Sequence, residues 1–215
     1  MSEKSFSLSA EMRIFAYKFL NDAISLSEFE AFIYQNTPTD ENFDDEKHFE
    51  LLNFNYKDKY AQESLKQLLL KNYVSLSEFE TWKLKTLLTQ FINDIPNLKT
   101  YLDQFYTLYC GTLLENGERH YAYKFLGNLG LNAMYWLEED YLKQQYGTKW
   151  QEEYNKAILK LDTYHKQLKP FAEELLKALN NNQIQILDNG TYTIADDLRE
   201  KYEGNVSYSL KHEVL

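Results

Sequence analysis

Proton transfer, nucleophilic attack and metal ligation need histidine, cysteine or carboxylate side chains held close together. The densest supply in this chain is Glu115, Glu118, Arg119 and His120, with Glu138, Glu139 and Asp140 further on. A histidine beside carboxylates is the material of an acid and base pair, so an enzyme reading would rest on Glu118, His120 and the Glu138 to Asp140 acids. No nucleophile, phosphate loop or metal spacing accompanies them. Adjacent acids on a helix point to different sides and favour the positive end of the helix dipole. Glu138 to Asp140 therefore read first as a solvated opening turn.

The other chemistry-bearing residues are scattered. His48, His120, His165 and His212 stand in no H-E-x-x-H or C-x-x-C spacing, so no metal ligand and no cofactor is expected. His165 lies in an apolar stripe between Leu161 and Leu168 and reads as a neutral core histidine, whereas His48 and His212 sit in polar surroundings. Cys110 follows the apolar face of a helix with no basic residue within four positions to lower its pKa, so it reads as a packed thiol. Gly127-Asn128-Leu129-Gly130 lacks the third glycine and the preceding strand of a dinucleotide fingerprint.

What the letters specify with most force is architecture. Ile24-Ser25-Leu26-Ser27-Glu28-Phe29-Glu30 recurs as Val74-Ser75-Leu76-Ser77-Glu78-Phe79-Glu80. With Ser25 or Ser75 as N-cap, Glu28 or Glu78 falls where it closes a capping box, and Ile24 or Val74 staples onto Phe29 or Phe79. The same offset pairs Phe15 with Leu65, Phe19 with Leu69, Leu20 with Leu70 and Phe32 with Trp82. An apolar helix precedes each box and another follows, so the repeated unit is a helical hairpin.

Further along, Pro38 and polar neighbours mark a loop over residues 36–44, and a short helix is expected at 46–52. Asn53 to Tyr56 alternates polar with aromatic and allows an extended segment. Asp94 and Pro96 open the next helix, whose Leu98, Tyr101, Leu102, Phe105, Leu108 and Tyr109 keep helical spacing. Gly111, Gly117, Gly127 and Gly130 interrupt the pattern over 111–134, which reads as turns around a short helix. Helical spacing returns from Tyr154, and Pro170 is expected to start a new helix or kink the old one. Gln183 to Leu187 and Thr191 to Ile194 flank Asp188-Asn189-Gly190, a hairpin signal. Asp196 to Tyr202 returns to helix before Gly204, and Val206 to Leu210 allows a third strand.

Only 7 Gly and 3 Pro in 215 residues leave too little punctuation for a sandwich or barrel. The expected fold is mainly α, repeated helical hairpins forming a bundle, with a small C-terminal β-hairpin. A helical-hairpin region over 1–95 and a helical region with the hairpin over 96–215 are expected to pack as one unit. No apolar run is long enough to cross a bilayer. The single cysteine and the absence of a secretory h-region in Met1 to Arg13 point to the cytoplasm.

The net charge of −10 repels nucleic acid and anionic membranes and favours cationic partners. It is local: residues 1–56 hold 11 acids against 4 bases, net −7. Asp40, Glu41, Asp44, Asp45, Glu46 and Glu50 surround the lone Lys47, either as a solvated loop and helix start or as a docking patch for a basic partner. Aromatics crowd a later stretch, Tyr121, Tyr123, Tyr135, Trp136, Tyr141, Tyr146 and Trp150. Tyrosine and tryptophan with an exposed edge anchor protein interfaces, so Tyr121, Tyr123, Tyr135 and Trp136 join the candidate partner-binding residues.

The two boxes, Leu51 to Tyr60 (Leu-Leu-Asn-Phe-Asn-Tyr-Lys-Asp-Lys-Tyr) and Phe105-Tyr106-Thr107-Leu108-Tyr109-Cys110-Gly111 together resemble bacterial cytosolic helical proteins of the kind encoded beside polymorphic toxins as immunity proteins. The resemblance covers roughly residues 13–111. It implies neutralisation of a toxin by direct binding, with a cationic toxin domain as partner. The expected function is accordingly a non-catalytic, protein-binding one. The alternatives are a small hydrolase-like enzyme using Glu118, His120 and the Glu138 to Asp140 cluster, and a helical regulatory module that self-associates through its tyrosines.

Overall fold

The structure, a computed structural model, describes residues 8–36, 45–113, 119–120 and 122–204. It is mainly α with a small antiparallel hairpin near the C-terminus, as the composition and spacing require. The chain divides into two compact units, Met1–Lys83 and Leu84–Leu215. The division falls inside a helix, α5 (Leu76–Asn93).

In the first unit, Ser9 caps α1 (Ala10–Leu20) by accepting the Met12 amide at 3.2 Å. The helix stops at a left-handed Asp22, φ 55°, with the Ala23 amide donating to Lys18 O and the Asp22 amide to Phe19 O. That is the Schellman arrangement with aspartate in the place usually taken by glycine. Lys66 Nζ at 2.6 Å and Gln62 Nε2 at 3.0 Å, both on α4 (Ala61–Asn72), donate to the Asp22 carboxylate.

Then α2 (Leu26–Gln35) opens with the full capping box: Ser25 Oγ accepts the Glu28 amide at 3.2 Å, and the Ser25 amide donates to Glu28 Oε2 at 2.6 Å. α1 and α2 are joined by rings, Phe15 stacked on Phe32 at 3.8 Å and Phe19 against Phe29 at 4.9 Å. After α3 (Asp45–Leu52), residues 53–60 form turns and not an extended segment, because the Tyr56 hydroxyl folds back to donate to Leu51 O. α4 and the first turns of α5 form the second hairpin. Phe19, Phe29, Leu65, Leu69 and Phe79 meet in one core, so the repeat seen in the letters is a repeat of packing.

The second box makes contacts beyond its own helix. Ser75 Oγ still accepts the Glu78 amide at 3.3 Å, but Glu78 Oε2 also takes the Tyr17 hydroxyl at 3.1 Å and lies 3.6 Å from Arg13 Nη1. Glu78 thereby ties α5 to α1.

The second unit contains the rest of α5, a 3-10 turn at Ile95–Asn97 and α6 (Leu98–Cys110). A two-residue pairing that the sequence did not announce joins β1 (Thr112–Leu113) to β2 (Arg119–His120). A 3-10 turn at Lys124–Leu126 leads into α7 (Gly127–Leu137), α8 (Glu139–Tyr146), α9 (Trp150–Leu159) and α10 (Leu161–Asn180). Gly130 of α7 is a packing residue and not a breaker: a Cβ on it would stand 2.7 Å from Tyr106 Cα, so α6 and α7 approach backbone to backbone there only because it has none.

The helix break expected at Pro170 occurs ten residues earlier, at Lys160. Pro170 lies inside α10 on its exposed side, as does Lys166, so the Lys166 carbonyl that loses its amide donor faces water. β3 (Ile184–Ile186) pairs with β4 (Tyr192–Ile194), and Gly190, φ 76°, closes the intervening loop as its bulge residue. α11 (Asp196–Glu203) ends the described chain, and the strand expected at Val206 to Leu210 lies outside the described residues.

Candidate functional site

Side chains that meet another molecule must be exposed, and exposed apolar groups are the informative ones. Large apolar side chains reach solvent at Ile14, Tyr34, Phe49, Tyr60 and Leu70 in the first unit, and at Ile95 and Leu159 in the second. Of these, Tyr34 stands on α2 and Phe49 on α3, and a hydrogen bond links Tyr34 to the last turn of α3. Phe49 is 66 % exposed, and Tyr34, near the end of α2, is 53 % exposed.

Phe49 stands out because helical geometry turns it away from the core. Leu51 is fully buried, and two residues at roughly 100° each put Phe49 about 200° from it, on the opposite side of α3. The Tyr34 hydroxyl donates to Leu52 O at 3.2 Å, which ties its ring to the last turn of α3, one turn from Phe49. Behind Tyr34 lies Tyr56 at 6.4 Å between ring centroids, and Phe54 packs edge-on to Tyr56 at 5.1 Å. Burial drives the Tyr56 phenol far above the usual tyrosine range, and nearby Tyr34 and Glu30 add to it. Glu30 precedes Tyr34 by four residues on the same face of α2.

The acids singled out from the sequence distribute around this face unevenly. Asp40, Glu41 and Asp44 lie outside the described residues. Asp45 and Glu46 belong to the first turn of α3, with side chains outside those described. Glu50 is exposed and accepts a hydrogen bond from the Tyr73 hydroxyl, so one carboxylate oxygen is engaged in the unit's own structure. Glu28, on the same helix as Tyr34, is held below the usual glutamate range by hydrogen bonds from the Ser25 amide and hydroxyl.

The aromatic candidates of the second unit fare differently. Tyr123 is corrected: it is fully buried, stacked near Phe125 and edge-on to Tyr192, with its amide donating to Leu108 O at 2.9 Å. The same ring chemistry that suits an interface suits a core, and here α6, β4 and the 3-10 turn enclose it. Tyr121 lies outside the described residues. Tyr135 and Trp136 stand on α7 with side chains outside those described.

The groups of the acid and base reading are not gathered into a described cleft. Glu115 and Glu118 lie outside the described residues, and His120 is placed by its β2 backbone alone. Glu138 is the N-cap of α8, its carboxylate accepting from the Asp140 amide at 3.1 Å and from the Tyr141 amide. Glu139 and Asp140 lie 2.7 and 3.7 Å from Lys143 Nζ. This is the solvated helix start expected from the sequence. His165 is buried, donates from Nε2 to Phe91 O at 2.8 Å and meets the Phe91 ring edge-on, as a core histidine should. Cys110 closes α6 and is partly buried.

Among the described residues no group of three His, Cys, Asp or Glu is arranged to hold a metal ion, and no helix is long and apolar enough to cross a membrane. Tyr34 and Phe49 were missed by reading for chemistry. The signal for Phe49 was present in its angle from Leu51, but which of the two faced the core is a matter of packing. Compared with family models, with curated proteins and with solved structures, the chain matches none.

Proposed function

We propose that this chain is a non-catalytic binding protein of the bacterial cytoplasm, which neutralises a toxin by direct contact in the manner of an immunity protein. The observation that carries the reading is the exposure of Phe49 on α3 together with that of Tyr34, which is hydrogen-bonded to the last turn of the same helix. An exposed Phe costs solvation free energy for as long as it is uncovered, and aromatic anchors contribute heavily to protein interfaces. The −10 charge supports a cationic partner by steering it.

The test is to express the chain together with the product of the adjacent reading frame in a growth assay in which that product alone is toxic. Restored growth and a stable complex on size exclusion are the expected outcome. A toxin that kills at an undiminished rate beside folded, abundant chain overturns the proposal.

A further inference from the structure

We infer that the α2–α3 face centred on Phe49 and Tyr34 docks a basic amphipathic helix of a partner protein, one that carries an apolar side chain ringed by lysine or arginine. The inference rests on the binding reading above and names its surface and partner chemistry.

Three observations select this occupant. The first is a prearranged apolar platform: Tyr34 is fixed by its hydroxyl on Leu52 O, and Phe54 and Tyr56 extend the layer behind it. A ring already held in place loses little conformational entropy when it is covered. The second is charge. Residues 26–56 contain eight acids, Glu28, Glu30, Asp40, Glu41, Asp44, Asp45, Glu46 and Glu50, against Lys47 alone. Ser25 and Tyr73, which donate to Glu28 and Glu50, are neutral side chains.

The third is elimination by the same charge. A second copy would bring two acidic segments of the same sequence together, with Glu28, Glu30 and Glu50 described on α2 and α3 of each, and nucleic acid or an anionic bilayer is repelled in the same way. Lysine or arginine at the rim gains both from the acids and from the open faces of Tyr34 and Phe49. The apolar centre of the partner helix covers Phe49.

The probe is a synthetic amphipathic peptide of leucine and lysine, titrated calorimetrically into the full chain at low and high salt. A control peptide carries glutamate in place of lysine. Saturable binding of the lysine peptide, weakened at high salt and absent for the glutamate peptide, is expected. Phe49→Ala should weaken it about tenfold or more with an unchanged melt. Glu30→Lys should slow association without changing the melt. A spin label on the peptide should broaden the NMR signals of Glu30, Tyr34 and Phe49.

A lysine peptide that fails to bind, or that binds Phe49→Ala as well as the parent chain, overturns the docking face. Broadening confined to residues outside α2 and α3 does the same. Growth rescue with a silent peptide titration removes this face and leaves the toxin-binding reading standing. Peptide binding without rescue does the reverse.

Discussion

Phe29 and Phe49 are the same side chain on neighbouring helices with opposite environments. Phe29 has no exposed surface and packs between Phe15 and Phe19, whereas Phe49 is 66 % exposed. Truncating the first removes buried area and leaves a cavity, so Phe29→Ala should cost about 3–5 kcal/mol in urea unfolding. Phe49→Ala should stay within about 0.5 kcal/mol of the parent chain. Comparable losses at both sites would mean that Phe49 is a core residue and would remove it from any binding surface. At the first box, Ser25 donors hold the Glu28 carboxyl below its ordinary range. A carboxyl with a depressed folded pKa stabilises the fold above its ordinary pKa, and the contribution fades as pH falls through the folded value. Ser25→Ala should therefore raise the Glu28 pKa in a carboxyl NMR titration. An unmoved value would show that the box contributes nothing.

Side chains cap the starts of α1, α2, α5 and α8, and left-handed residues follow the ends of α1 and α10, where sequence reading was weakest. α10 ends at Asn180 with Asn181 as its C-cap, followed by a left-handed Asn182, φ 56°, whose successor's amide donates to Ala178 O at 2.9 Å. Asparagine tolerates that conformation and alanine does not, so Asn182→Ala should lower stability by about 1 kcal/mol while Asn182→Gly leaves or raises it. Equal melts for the two variants would contradict the assigned backbone. α6 and α7 depend on Gly130 in another way. A methyl group 2.7 Å from Tyr106 Cα must push one helix backbone aside, so Gly130→Ala should cost about 1–3 kcal/mol even though alanine is the better helix former. A stabilised Gly130→Ala would show that the helices are not in backbone contact.

Taken over the full chain, the tyrosines set the response to alkali. Burial holds Tyr17, Tyr56 and Tyr192 far above the ordinary phenol range, with Glu78 reinforcing it at Tyr17 and Glu203 at Tyr192. Burial also raises Tyr164 and Tyr202. A group whose folded pKa is raised contributes its stability in full below the unfolded value, about 10 for tyrosine, and loses it as pH climbs beyond. The urea midpoint should hold steady from pH 7 to 9 and fall above about pH 10. Tyr17→Phe should blunt that fall. A midpoint indifferent to pH between 9 and 11 would mean that these phenols are solvated.

The capping boxes, the apolar spacing and the Asp-Asn-Gly turn act through neighbours a few residues apart, so helix starts, the duplicated hairpin, the mainly α class and the β-hairpin were legible in the letters. The core histidine and the solvated acids of α8 were legible for the same reason, since each follows from the face of one helix. Contacts between distant segments were not. Gly130 looks like a breaker until Tyr106 is beside it, Tyr123 looks like an interface ring until Phe125 and Tyr192 enclose it, and Pro170 looks like a helix end until it is found facing water. The amino acids alone fixed which segments coil and where the charge gathers. Which side of each coil is covered, and so which aromatics are left outside, was settled only when the segments packed, because burial is a property of pairs of surfaces and no single stretch of chain contains both.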